Sequence, residues 1–182
     1  MTNTISLQMA PLLTELTICL VCGEEELKPW LDLGIHYLPG FVGVPGLPAE
    51  KAPLDLNVCA RCGMVQLRHM VKRDRLFRHY WYRSGVNDTM RGHLGALARE
   101  RGQRGQVWVD IGANDGTLLD CLPDGVSKVA FEPAVDFQEE LGTRADVVVP
   151  DYFTSTAYQS AMSEKKANVV TSLAMFYDLP NP

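Results

Sequence analysis

The chain has 182 residues, 46% hydrophobic and 21% charged, which fits a globular protein of one or two domains. Its 17 basic and 22 acidic residues give a net charge of −5, which argues against the basic face of a nucleic-acid binder. The opening residues, Met1-Thr2-Asn3-Thr4-Ile5-Ser6-Leu7-Gln8, show neither a positive n-region nor a long apolar core, so no signal peptide and no membrane span are expected, and cytoplasm with reduced thiols is the expected compartment.

The first informative unit occurs twice. Cys19-Leu20-Val21-Cys22-Gly23 and Cys59-Ala60-Arg61-Cys62-Gly63 each place two residues between cysteines, so both sulfurs can face one metal ion, and the following glycine suits a tight knuckle. Two such pairs offer four thiolates, a closed tetrahedral set typical of structural zinc. A redox Cys-x-x-Cys would need one pair at a helix start after a strand, not two knuckles. A module of about 50 residues is short of core, and a metal would staple it. Between the pairs, Leu31 to Gly40 and a Pro/Gly-rich stretch through Pro53 read as short strands and loops. Leu54 to Val58 alternates and leads as a strand into the second knuckle; Met64 to Leu67 leads out of it. His36 reads as a loop histidine or substrate contact, not a fifth ligand, and the lone Cys121 as a small buried apolar residue.

Asp74 to Asp88 is dense in aromatics and polar donors, with Tyr80-Trp81-Tyr82-Arg83-Ser84-Gly85 at its centre. Three adjacent aromatics cannot all face one core, so some are expected at a cleft. Thr89 to Arg101 reads as a helix with Met90, Leu94, Leu97 and Ala98 on one face and Asp88 as its N-cap. Arg99, Arg101 and Arg104 read as a solvated helix end.

Val107 to Ile111 is a run of β-branched and aromatic residues, as for a strand buried on both faces of a parallel sheet. The turn Gly112-Ala113-Asn114-Asp115-Gly116 and a helix start follow. Glycine lets a ligand approach the backbone and permits positive φ, and Asp110 sits at the strand's carboxyl end, where open α/β sheets bind ligands. The spacing Asp-x-Gly-x-x-x-Gly is not the dinucleotide fingerprint, and no lysine is present for a phosphate loop. Asp110 and Asp115 would repel a pyrophosphate, so a ligand with positive charge and hydroxyls suits the turn better. Lys128 to Pro133 reads as the next strand, and Glu132, about 20 positions after the turn, is placed to hold ribose hydroxyls.

Strand, acidic glycine turn, helix, strand and glutamate together resemble the S-adenosylmethionine site of class I methyltransferases. With the two Cys-x-x-Cys-Gly knuckles and Tyr80 to Gly85, the chain from Cys19 onward resembles the zinc-containing sugar C-methyltransferases, which act on nucleotide-linked 4-keto-deoxy sugars. The resemblance implies an α/β protein: a small four-cysteine zinc-binding module over 1–72, a connecting aromatic segment and helix over 73–105, and a Rossmann-like class I methyltransferase sheet over 106–182. It implies structural zinc on Cys19, Cys22, Cys59 and Cys62, and S-adenosylmethionine on Asp110, Gly112, Asn114, Gly116 and Glu132. After a helix over Ala134 to Leu141 and a strand over Ala145 to Pro150, Asp151 with Tyr152 or Phe153 stands where an acidic residue meets the adenine amine and an apolar neighbour packs the ring. A helix over Thr156 to Lys165 and a fourth strand over Ala167 to Leu173 follow, with Leu173 at the cofactor. Met175, Phe176 and Tyr177 then lie over the ligand edge, at least one of them expected to line it.

The resemblance also implies the chemistry, methyl transfer to C3 of the sugar through an enolate. A tyrosine of the connecting segment is implied at the site, Tyr82 ahead of Tyr80, with His79 or His93 as a helper or, more simply, an ordinary surface or packing histidine. The family's glutamate and histidine acid/base pair comes from a later region, and its sheet has seven strands against the four read here, so the expectation is the N-terminal portion of a longer enzyme. The expected partner is a nucleotide sugar, with no nucleic acid and no membrane. Two other readings stay open: a methyltransferase with an O- or N-acceptor, and a non-catalytic zinc-binding module.

Overall fold

A computed structural model describes residues 12–38 and 50–179. The stretch 39–49, most of the Pro/Gly-rich segment, and Pro180 onward lie outside the described residues. The chain divides into two compact units, Met1–Leu76 and Phe77–Pro182. Residues 77–105 therefore fold with the second unit.

The first unit is built from antiparallel pairs. Strand β1 (Leu13–Glu15) pairs with β5 (His69–Val71), and β2 (Leu27–Tyr37), β3 (Lys51–Cys59) and β4 (Val65–Leu67) form a sheet in that order. Strand β2 runs 11 residues where the sequence reads as short strands and loops. The reason is a bulge. The Asp32 side chain accepts from the Gly34 N–H at 2.7 Å, Gly34 takes φ 83°, and the β2–β3 register shifts between Asp32 and Ile35, so pairing resumes beyond the glycine. Helix α1 (Arg73–Phe77) follows β5.

The second unit holds a four-stranded parallel sheet, β6 (Val107–Ile111), β7 (Ser127–Phe131), β8 (Val147–Val149) and β9 (Val169–Thr171), in the order β8-β7-β6-β9. The side-chain period of two splits these strands between two cores. Trp108 and Ala130 face one layer with Leu94 and Ala98 of α2 (Asp88–Arg101), Leu118 and Leu119 of α3 (Thr117–Asp120) and Leu141 of α4 (Gln138–Arg144). Val109, Ile111, Val129 and Phe131 face the other with Met162 of α5 (Ser155–Met162). Helices thus cover both faces, as a doubly wound sheet requires.

The first two crossovers extend the sheet one way from β6 and the third returns to its other side. The strand order therefore reverses between β6 and β9, and the crevice outside their carboxyl ends is where such sheets bind ligands.

Helix α2 has the expected apolar face but a different cap. Asn87 is the N-cap, its side-chain oxygen accepting from Thr89 N (2.8 Å) and Met90 N (3.2 Å), while Asp88 lies in the first turn and pairs with Arg91. Cys121 is exposed, not buried: α3 makes a single turn and ends at Asp120, leaving Cys121 as its C-cap.

Candidate functional site

The cysteine pairs form two knuckles with the same bonding pattern. In each, the glycine after the second cysteine donates its N–H to the carbonyl of the first: Gly23 to Cys19 at 2.9 Å and Gly63 to Cys59 at 3.0 Å, with φ 73° and 74°. Cys19 N and Cys59 N then donate to Glu24 O and Met64 O, each at 2.8 Å. These turns bring all four sulfurs within 4.8 Å of one another, with Cys19–Cys62 and Cys22–Cys59 separations of 3.6 Å. A zinc–sulfur bond of about 2.3 Å sets tetrahedral edges of about 3.8 Å, so the donor set fits zinc. The buried Gln66 on β4 braces the first knuckle: its Oε1 accepts from Leu20 N and its Nε2 donates to Ile18 O, both at 3.0 Å. His36 is exposed and bonds the Leu33 carbonyl at 2.8 Å, so it is no ligand here.

The second site lies at the carboxyl edge of the parallel sheet. Asp110 of β6 stands opposite Thr171 of β9, and its Oδ1 accepts from the Thr171 hydroxyl at 2.7 Å. The Trp108 indole N–H donates to the same hydroxyl oxygen at 2.9 Å, completing a buried Trp–Thr–Asp chain. Burial pushes the Asp110 carboxyl up to about 7; the Thr171 bond opposes this and the charge of Glu132 adds to it.

The glycine turn wraps the end of the neighbouring strand. Gly112 N and Ala113 N donate to Phe131 O at 2.8 and 3.2 Å. Glu132 then closes the turn: its Oε2 accepts from Asn114 N at 2.7 Å and its Oε1 from Ala134 N at 2.8 Å. Its carboxyl is raised by burial, against the pull of those two N–H groups. Gly112, at φ 71°, has Met175 lying on it, and a Cβ there would stand 2.9 Å from Met175 Cγ.

The turn's remaining polar side chains make hydrogen bonds to residues 82–85 and 117. Asn114, itself at φ 54°, accepts from Ser84 N and donates to Tyr82 O, both at 2.9 Å. Asp115 accepts from Gly85 N at 2.8 Å with Oδ2 and from the Thr117 hydroxyl at 2.6 Å with Oδ1. Both Asp115 oxygens thus accept hydrogen bonds from within the protein.

These geometries sit beside two comparisons. Residues 19–77 match a methyltransferase family model, Methyltransf_13, described as a putative zinc binding domain. Over 149 residues the chain is 30% identical to the C-methyltransferase NovU of Streptomyces niveus, a match covering 75% of this chain and 35% of that protein. Together the two matches support the N-terminal portion of the zinc-containing C-methyltransferase family. The chain spans about a third of the length of that curated relative.

The residues singled out from sequence fall into distinct settings. Asp110, Gly112, Asn114, Gly116 and Glu132 come together at the ends of β6 and β7. Asp151, after β8, accepts from Arg78 Nη2 at 2.9 Å and from Tyr152 N at 2.8 Å, and the Arg78 guanidinium stands 5.3 Å from the Tyr152 ring centre. Phe153 turns inward, edge-on to Phe131 at 5.1 Å, so of the two aromatic candidates Tyr152 is the one left outside that layer. Leu173 follows β9 and is partly exposed, as are Phe176 and Tyr177, so Met175 is the member of its trio that reaches the turn.

Tyr80 packs against the helix-side core, Trp81 is exposed, and Tyr82 is half-buried with its carbonyl held by Asn114. His79 is 80% exposed, 3.4 Å from Asp136, and His93 is exposed. Sequence reasoning misses Arg78, Thr171 and the bonds that Asn114 and Asp115 make to Ser84 and Gly85. Only the register of β9 on β6 brings Thr171 to Asp110, and nothing local announces the others.

Proposed function

We propose that the protein is an S-adenosylmethionine-dependent methyltransferase, or the donor-binding part of one, that methylates C3 of a nucleotide-linked 4-keto-deoxy sugar in the cytoplasm. Glu132 carries the donor half of this reading. It is a buried carboxylate at the carboxyl end of β7, held beside a glycine turn near the reversal of strand order. An ionised carboxylate has about four lone-pair sites, and two here accept backbone N–H groups, so acceptors remain for two ribose hydroxyls.

The neighbouring residues fit the rest of such a ligand. Gly112 offers backbone without a Cβ, and Met175 over it is an unbranched side chain that can shift. Asp151 and Tyr152, on the next loop, suit an adenine amine and ring. Leu173 flanks the crevice on the β9 side. When bound, S-adenosylmethionine supplies a methyl group activated by its sulfonium.

The acceptor half rests on the likeness to a C-methyltransferase. A ketone at C4 acidifies the hydrogen on C3, so proton loss leaves a nucleophilic carbon there. Tyr82 is the residue we assign to hold the resulting enolate oxygen, with Tyr80 and His79 beside it in the chain. The zinc site would have no part in this chemistry, since four thiolates leave no open position. Calorimetric titration with S-adenosylhomocysteine tests the donor half. Micromolar binding that Glu132→Ala abolishes is expected; binding that survives the substitution would remove Glu132 from the site.

A further inference from the structure

We propose that Asn114 and Asp115 are positioning residues that fasten the segment 78–85 across the sheet's ligand edge, so that methyl-donor binding and ordering of that segment reinforce each other. The coupling rests on the donor-site reading above; the fastening does not.

The segment is tied down at three places, on the loops that leave the first three strands of the sheet and the helix that follows the second. At its start, Arg78 donates from Nη1 to Pro133 O (3.3 Å) and Pro150 O (3.2 Å) and from Nη2 to Asp151, and its own carbonyl accepts from Val135 N at 3.0 Å. In the middle, Tyr80 N donates to Asp136 Oδ2 at 3.0 Å, and Arg83 pairs with Glu140 at 2.6 Å while lying over the Phe137 ring. At its end stand the Asn114 and Asp115 bonds to Tyr82, Ser84 and Gly85. The fit there is close: a Cβ on Gly85 would meet Thr117 Oγ1 at 2.7 Å and Asp115 Oδ2 at 3.0 Å.

These loops carry Gly112, Glu132 and Asp151, the proposed donor contacts. Asn114 joins the two sets within one residue. Its backbone N–H is 2.7 Å from Glu132 Oε2, and its side chain holds both Tyr82 O and Ser84 N. A ligand that fixes Glu132 also fixes the backbone of Asn114, and through its amide the peptide that carries Tyr82. Linkage makes the effect reciprocal: a segment held down favours the donor as much as the donor favours the segment held down. Asp115, bonded to Gly85, keeps the end of the segment in place.

Hydrogen exchange on the full chain tests this, with and without S-adenosylhomocysteine, in the wild type and Asn114→Gly. Glycine keeps the positive φ and the backbone N–H to Glu132 while removing both side-chain bonds. In the free variant the Ser84 and Gly85 amides should exchange about tenfold faster. In the wild type S-adenosylhomocysteine should slow them further; in the variant that slowing should vanish and affinity should fall about three- to tenfold. Asn114→Asp keeps the acceptor for Ser84 N and should lie between, and it carries the test if the glycine variant does not fold. Equal exchange in free wild type and variant would overturn the fastening. Ligand binding that leaves wild-type exchange of Ser84 and Gly85 unchanged would overturn the coupling. Absence of binding by the wild type would overturn the donor-site reading and the coupling with it, while the free-protein comparison still decides the fastening.

Discussion

Asp110→Asn should flatten the dependence of the second unit's stability on pH. Asp110 is 4% exposed, and burial raises its carboxyl to about 7 from an ordinary 3.8. A carboxyl raised on folding binds its proton more tightly in the folded state. Ionising it therefore costs nothing below about pH 4, costs progressively more as pH rises, and levels off above about 7. Each pH unit within that window is worth about 1.4 kcal/mol, so between pH 5 and 8 this one group should remove about 3 kcal/mol of stability. Glu132, also raised by burial, adds a loss of the same sign. Asparagine is isosteric and keeps an oxygen for the Thr171 hydroxyl, so the variant should retain the fold and lose the Asp110 share of the slope. Urea unfolding at pH 5 to 8, followed by the buried Trp108 in a Trp30→Phe, Trp81→Phe background, measures it. A wild-type stability that rises with pH over this range, or a slope identical in the Asn variant, would refute the reasoning.

Three further outcomes are expected. Stripping zinc with a strong chelator, or Cys59→Ser, should abolish amide protection in β2, β3 and β4 by hydrogen exchange while β6 and β7 stay protected, because the second unit has its own two-sided core. Gly85→Ala should lower stability by about 1–3 kcal/mol, read as a fall in melting temperature, because its methyl would press on Thr117 Oγ1 and Asp115 Oδ2. Asn87→Ala should cost about 1 kcal/mol by removing the acceptor for Thr89 N and Met90 N, and Asn87→Asp should restore most of it.

What the sequence reveals is what local spacing encodes. Two Cys-x-x-Cys-Gly knuckles fix their own turns, and the four sulfurs converge as the spacing implies. The β-branched run before Gly112 makes a buried central strand, and Glu132 stands at the end of its neighbour because a βαβ unit returns there. Other features depend on pairs distant in sequence. Nothing local reveals that Asn114 and Asp115 turn toward residues 30 positions earlier, and their types alone point equally well to a ligand. The same holds for Thr171, which meets Asp110 through the β9 register 61 residues away. Asn87 and Asp88 are comparable capping residues, and only the backbone decides between them: extended φ and ψ at Asn87 place the cap one residue earlier. Residue type alone puts Cys121 inside, whereas α3 stops after one turn and leaves the thiol outside.

On the proposed reading, zinc on the four cysteines would substitute for the core that a small antiparallel unit lacks, and the parallel sheet would supply a rigid edge on which Glu132 and the glycine turn meet the methyl donor.

Photo-crosslinking of radiolabelled S-adenosylmethionine to the zinc-loaded chain, followed by peptide mapping, tests the central claim most directly. Label should concentrate on the peptides carrying Gly112 to Gly116, Glu132 and Asp151 to Phe153, be competed away by S-adenosylhomocysteine and be lost in Glu132→Ala. Label that spreads over the zinc unit, or that persists in Glu132→Ala, would contradict a methyl-donor site at the carboxyl edge of the sheet.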